Sequence, residues 1–70
     1  MNRFDNAITG FEESLRIDPG NAKTHFNLGK TVESAGRISE AEKQFRQAIR
    51  LEPDFVESRF NLANTLHDLG

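Results

Sequence analysis

The side chains able to do chemistry are few, and their spacing argues against catalysis. His25 and His67 are far apart in the chain, and neither has a second ligand at the i, i+4 spacing with which a helix holds a metal ion. Adjacent carboxylates such as Glu12 and Glu13 fit a solvated helix face better than an acid/base pair. No Gly-rich phosphate loop or nucleophile group is present. The sequence therefore predicts a protein that is not an enzyme and has no metal or cofactor.

Two asparagines are the more informative polar residues. Asn27 and Asn61 both occur in the sequence Phe-Asn-Leu, and the two copies are separated by 34 residues. An Asn amide offers both hydrogen-bond donors and an acceptor, which matches the needs of an extended peptide backbone. The alternative is that each amide bonds only a neighbouring helix or water.

Composition narrows the function classes further. The chain has 70 residues, no Cys and a net charge of −2, so disulfides are excluded and the basic face that nucleic acid requires is missing. No apolar run approaches the roughly 20 residues of a membrane span. No signal peptide is visible at the start of the sequence. We expect a cytoplasmic chain by default, although a fragment would have lost any targeting segment.

The 34-residue spacing extends to the whole chain and predicts its architecture. Besides the Phe-Asn-Leu copies, Ala7 matches Ala41, Phe11 matches Phe45, Pro19 matches Pro53, and Gly36 matches Gly70. A period of this length indicates stacked helical hairpins, each unable to bury its apolar face alone. Apolar spacing and turn residues predict four helices, at about residues 4–17, 22–35, 39–51 and 55–69. Short connections make successive helices antiparallel.

Helix starts are predicted from capping residues. Asn21 is expected to cap the second helix. Ser39 to Glu42 has the pattern of a capping box for the third helix. Asp54, with Glu57 three residues on, is expected to cap the fourth. Gly29 lies inside the second helix, where its missing side chain would let a neighbouring helix approach closely.

These residues resemble the tetratricopeptide repeat (TPR) family, whose repeats pair a helix A with a helix B. The resemblance implies an all-α superhelix, a TPR-like solenoid of four antiparallel helices in B-A-B-A order. Residues 1–21 would be a half repeat (helix B), 22–55 a complete repeat, and 56–70 a half repeat (helix A). The central repeat carries the pattern at His25, Leu28, Gly29, Val32, Gly36, Ala41, Phe45, Ala48 and Pro53. His25 and Val32 replace the usual Trp and Tyr, and we expect His25 to pack between helices.

The resemblance also implies a function. Helices A of this family line a concave groove that binds an extended peptide or a helix of a partner protein, so we expect a non-catalytic interaction scaffold. Asn27 and Asn61 would stand as rungs along that groove, similar to the asparagine ladder of O-linked N-acetylglucosamine transferase-type repeat arms. The alternatives are a substrate-presenting arm of a glycosyltransferase-like enzyme and a self-assembling structural module. The expected groove residues are Lys23, Phe26, Asn27, Lys30, Glu33, Glu57, Phe60, Asn61, Asn64, His67 and Asp68.

The B-A-B-A order has a consequence for the two end helices. The first helix lacks its A partner and the last lacks its B partner, and both carry apolar residues, such as Phe4 and Leu66, where a capping helix would be polar. We expect a slice of a longer array. The end helices could also pair between chains and give a homo-oligomer.

Overall fold

Four helices follow one another in the computed structural model, which describes residues 3–69. They are α1 (Arg3–Ile17), α2 (Ala22–Ser34), α3 (Ile38–Leu51) and α4 (Val56–Leu69). The all-α fold is confirmed, and each helix begins within one residue of the predicted position. Each helix packs against the next in chain order, as the short antiparallel connections require. None of these helices is long and apolar enough to cross a membrane.

The core is centred on one face of α3. Ala41, Phe45 and Ala48 of this helix are fully buried, since their spacing puts them on one apolar face. Residues of α2 and Ile8 of α1 complete the core, and Phe55 and Leu62 pack against it. Burial of this shared face holds two neighbouring hairpins together.

α2 and α3 approach closely at Gly29, as its sequence position predicted. A Cβ atom built on Gly29 would lie 2.7 Å from Cε1 of Phe45. This distance is far inside van der Waals contact, so the Phe45 ring occupies the space that a side chain on α2 would fill. Gly29 therefore sets how closely α2 and α3 pack.

The cap of α2 is confirmed, but the capping box of α3 is wrong. Asn21 accepts a hydrogen bond from the backbone N–H of Thr24 at 3.1 Å. By contrast, α3 begins at Ile38, its N-cap residue is Arg37, and no side chain caps it. The reason lies in the preceding turn: Gly36 has φ of 84° and the Arg37 N–H bonds Val32 O at 2.8 Å. This closure starts the helix before Ser39 is reached.

The cap predicted for α4 is also wrong. The helix begins at Val56, and the carbonyl of Phe55 accepts its first backbone hydrogen bond, from Arg59 at 3.2 Å. Asp54 therefore precedes the N-cap position and cannot serve there. Phe55 holds that position because its ring packs on Phe26, with 4.9 Å between the ring centroids. The packing of Phe55 on α2 has displaced the polar cap.

Replacing Asn21 with alanine should lower the free energy of unfolding by about 1 kcal/mol, because the N–H of Thr24 loses its only protein partner among the described residues. Ser39→Ala provides the control, since Ser39 lies inside α3 and caps nothing. It should change stability by less than about 0.5 kcal/mol. Urea denaturation followed by circular dichroism measures both. An equal loss in the two variants would contradict this assignment of the caps.

His25 packs between helices, as expected. It is buried, its Nδ1 lies 2.8 Å from Gln44 Oε1 of α3, and its Nε2 donates to the Pro19 carbonyl at 3.0 Å. One repeat later, Arg59 donates to the Pro53 carbonyl in the same way, at 2.9 Å. This side chain therefore closes the turn before each helix A. Gly70, the predicted match of Gly36, lies outside the described residues.

Candidate protein-interaction groove

The two A helices, α2 and α4, are joined by a side-chain hydrogen bond. Thr65 of α4 is fully buried, and its Oγ1 lies 2.7 Å from Glu33 Oε2 of α2 and 2.9 Å from the carbonyl of Asn61. A hydroxyl donating to a carboxylate is a charge-assisted bond, stronger than a neutral one. It links α2 and α4 directly.

Sequence reasoning missed Thr65, although a signal was present. Thr31 and Thr65 are separated by the same 34 residues as the two Phe-Asn-Leu copies. The Thr31 hydroxyl donates to the Asn27 carbonyl at 3.0 Å, and the single hydrogen of the Thr65 hydroxyl is shared between the Asn61 carbonyl and Glu33. The Asn and the Thr are thus one repeated unit. Of the two threonines, only Thr65 also bonds a side chain of the preceding helix A, Glu33 of α2.

Asn27 and Asn61 occupy equivalent places and have free side chains. Both residues are half-buried, and within residues 3–69 neither side-chain amide makes a hydrogen bond. Half-burial restricts the motion of each amide, while its donors and acceptor remain unused by the described part of the protein. The two side chains are therefore available to a ligand.

The two phenylalanines before these asparagines differ in their surroundings. Phe26 is 6% exposed, with its ring centroid 5.9 Å from that of Phe45, and belongs to the core. We expected Phe26 to line the groove, but its ring is covered by the core, and a ligand does not reach a covered ring. Lys30 also lies over this ring, with Nζ 5.2 Å from the centroid. Phe60 is 66% exposed and remains available for contact.

The structure brings some of the expected charged residues together and separates others. Lys23 and Glu57 line one open hollow between the starts of α2 and α4, together with Phe55. Lys30 instead lines a different cleft, between α1 and α2. Asn64, His67 and Asp68 are exposed along the rest of α4. The face shared by α2 and α4 thus has a charged end at Lys23 and Glu57 and an amide-bearing middle.

No group of three or more His, Cys, Asp or Glu residues within residues 3–69 is placed to hold a metal ion. The polar groups of the face are amides and isolated charges, with Phe60 as its exposed apolar part. Amides and isolated charges recognise other polar groups by hydrogen bonding.

These features define a helical-hairpin repeat. Among protein families, a model described as TPR repeat matches residues 34–70, which is more than half of the chain. The chain therefore belongs to the TPR repeat family. Repeats of this family generally mediate protein–protein interaction and are typically non-catalytic. A comparison with curated proteins found no match.

Proposed function

We propose that the chain binds an extended peptide segment of a partner protein across α2 and α4. The observation that carries this proposal is the pair of half-buried amides, Asn27 and Asn61, which lie one repeat apart and have no partner among the described residues. A peptide backbone presents alternating N–H and C=O groups, and each amide can bond both kinds. Two amides in equivalent places would hold two points of one extended backbone.

The surroundings of the amides suit such a ligand. Phe60 is exposed next to Asn61 and offers an apolar surface to a ligand side chain. Lys23 and Glu57, in the hollow at one end of the face, offer both signs of charge. Backbone bonding would then supply affinity, and these side chains would supply sequence preference.

A peptide array identifies a ligand, and fluorescence anisotropy then compares variants. Asn27→Ala and Asn61→Ala should each weaken binding by roughly tenfold, because each removes up to two hydrogen bonds worth about 1 kcal/mol apiece. Gln47→Ala removes a carboxamide of the same chemistry from an exposed position on α3 and should leave the affinity unchanged. Binding that is unaffected by both asparagine changes would contradict the proposal.

A second candidate is a substrate-presenting arm of a glycosyltransferase-like enzyme. The same Asn27 and Asn61 pair supports it, because such an arm would grip the backbone of the protein to be modified. Catalysis would then reside in a domain beyond these residues. A full-length parent sequence with a sugar-transferring domain would favour this candidate, and a parent composed only of repeats would favour the scaffold.

A further inference from the structure

The end helices leave open the faces that their equivalents bury in the middle of the chain. α1 corresponds to α3 through the 34-residue period, yet Ala7 is only half-buried where Ala41 is fully buried. α4 corresponds to α2 in the same way, yet Leu66 is 40% exposed where Val32 is 2% exposed. Within residues 3–69, no helix of type A precedes α1 and no helix of type B follows α4.

An open cleft of about 650 Å³ marks the missing cover at α1. Its walls are the first turns of α1 and the second half of α2, and it is lined by Arg3, Phe4, Asn6, Ala7, Lys30, Thr31 and Ser34. Thirty-four residues later, the counterparts of these residues lie at the start of α3 and the end of α4. There they meet the second half of α2: Thr65 bonds Glu33, and the Arg37 N–H bonds Val32 O. The cleft therefore lies where a helix A would pack against α1 and α2.

We propose that this cleft binds α4 of a second copy of the chain, head to tail. α4 is itself a helix A, and the period gives the register. In this register Leu66 of the second copy would pack beside Ala7 of the first, in the position that Val32 has beside Ala41. Asp68 would approach Arg3, which supplies charge complementarity, because the cleft carries Arg3 and Lys30 as cations. This register follows from equivalence within one chain, and the partner is a surface already present on the molecule.

The contact joins two different surfaces, so it is heterologous. Each bound copy leaves its own cleft or its own α4 free for the next one. Assembly therefore continues as an open superhelical filament unless the rotation closes a ring. This contact would also cover Phe60, because its counterpart Phe26 packs on Phe45, so assembly would remove Phe60 from the peptide-binding face.

One sequence difference between the two A helices should weaken the contact between copies. Ala63 stands where α2 has Gly29, and a Cβ at Gly29 would lie 2.7 Å from the Phe45 ring. Phe11 is the counterpart of Phe45, so its ring must shift away from Ala63 when α1 of a second copy covers α4. We therefore expect association in the micromolar to millimolar range.

Sedimentation velocity and light scattering over a hundredfold concentration range test the proposal. The mass of the unaltered chain should rise with concentration. Leu66→Asp on α4 and Phe4→Asp in the cleft should each weaken association by about tenfold or more, since each loses an apolar contact and buries a charge. Both residues are partly exposed in the single chain, so each variant should keep the helical circular dichroism spectrum.

A mixture of the two variants distinguishes this contact from any symmetric one. Leu66→Asp retains an intact cleft and Phe4→Asp retains an intact α4, so the equimolar mixture should form heterodimers that do not grow further. Leu51→Asp is the matched control: Leu51 is similarly exposed but lies on α3, outside both surfaces, and it should associate like the unaltered chain. A constant monomer mass at millimolar concentration, or a mixture that stays monomeric, would overturn the proposal.

Ala63→Gly tests the register itself. Removing the Cβ should strengthen association several-fold, because the Phe11 ring can then pack as Phe45 packs on Gly29. Asn64→Gly places the same flexible residue at the neighbouring exposed position, and it should weaken association or leave it unchanged because helix propensity falls. Equal effects of the two glycines would overturn the register.

Discussion

Replacing Phe45 with alanine is expected to unfold most of the chain at 25 °C. The ring is fully buried, fills the position that a Cβ atom on Gly29 would take, and packs on Phe26. Phe→Ala changes in a core cost about 3–5 kcal/mol through lost burial and the cavity left behind. A domain of this size seldom has more than about 3–5 kcal/mol of stability in total. The loss is therefore comparable to the whole stability.

Circular dichroism at 222 nm and a urea titration measure this effect. Phe60→Ala is the control, because the same side chain is removed at a mostly exposed position of another helix, α4. It should change the free energy of unfolding by no more than about 0.5–1 kcal/mol. A Phe45→Ala variant that stayed folded with near-native stability would show that α3 is not the centre of the core.

The second large effect concerns two glycines that lie inside helices but differ in their neighbours. Gly29→Ala should destabilise the chain by about 1–3 kcal/mol, because the new Cβ meets the Phe45 ring and that ring has no free space to move into. Gly10→Ala should stabilise it by about 0.5–1 kcal/mol, since nothing lies within 4 Å of its Cβ position and Ala favours the helix.

Thermal unfolding of both variants at one protein concentration measures this difference in sign. The helix-propensity gain is the same for the two substitutions, so the difference between them reports the steric cost at Gly29 alone. Stabilisation of the chain by Gly29→Ala would contradict the close packing of α2 on α3.

The helices could be predicted from the sequence because their apolar residues, turns and 34-residue period all indicate one architecture. The N-cap positions at Arg37 and Phe55 could not be predicted, for two physical reasons. The turn at Gly36 closes early and starts α3 before its Ser39. Phe55 packs against Phe26 of α2 and occupies the N-cap position in place of the polar Asp54. Both outcomes depend on contacts that local propensity does not contain.

The candidate site was predictable to a different degree. The equivalence of Asn27 and Asn61 follows from sequence alone, because it needs only the period. The contrast between Phe26 and Phe60 does not, since identical local sequence gives a core ring in one repeat and an exposed ring in the next. Exposure depends on which helix covers the residue. The bond from Thr65 to Glu33 likewise depends on how two repeats stack.

The central claim is that α2 and α4 form one peptide-binding face through Asn27 and Asn61. Nuclear magnetic resonance tests it most directly, because the side-chain amide groups of Asn give their own signals in a ¹⁵N-correlated spectrum. On titration with a bound peptide, we predict that the side-chain signals of Asn27 and Asn61 shift together, along with backbone signals of α2 and α4. Shifts confined to α1 and α3, with both asparagine side-chain signals unmoved, would contradict the account.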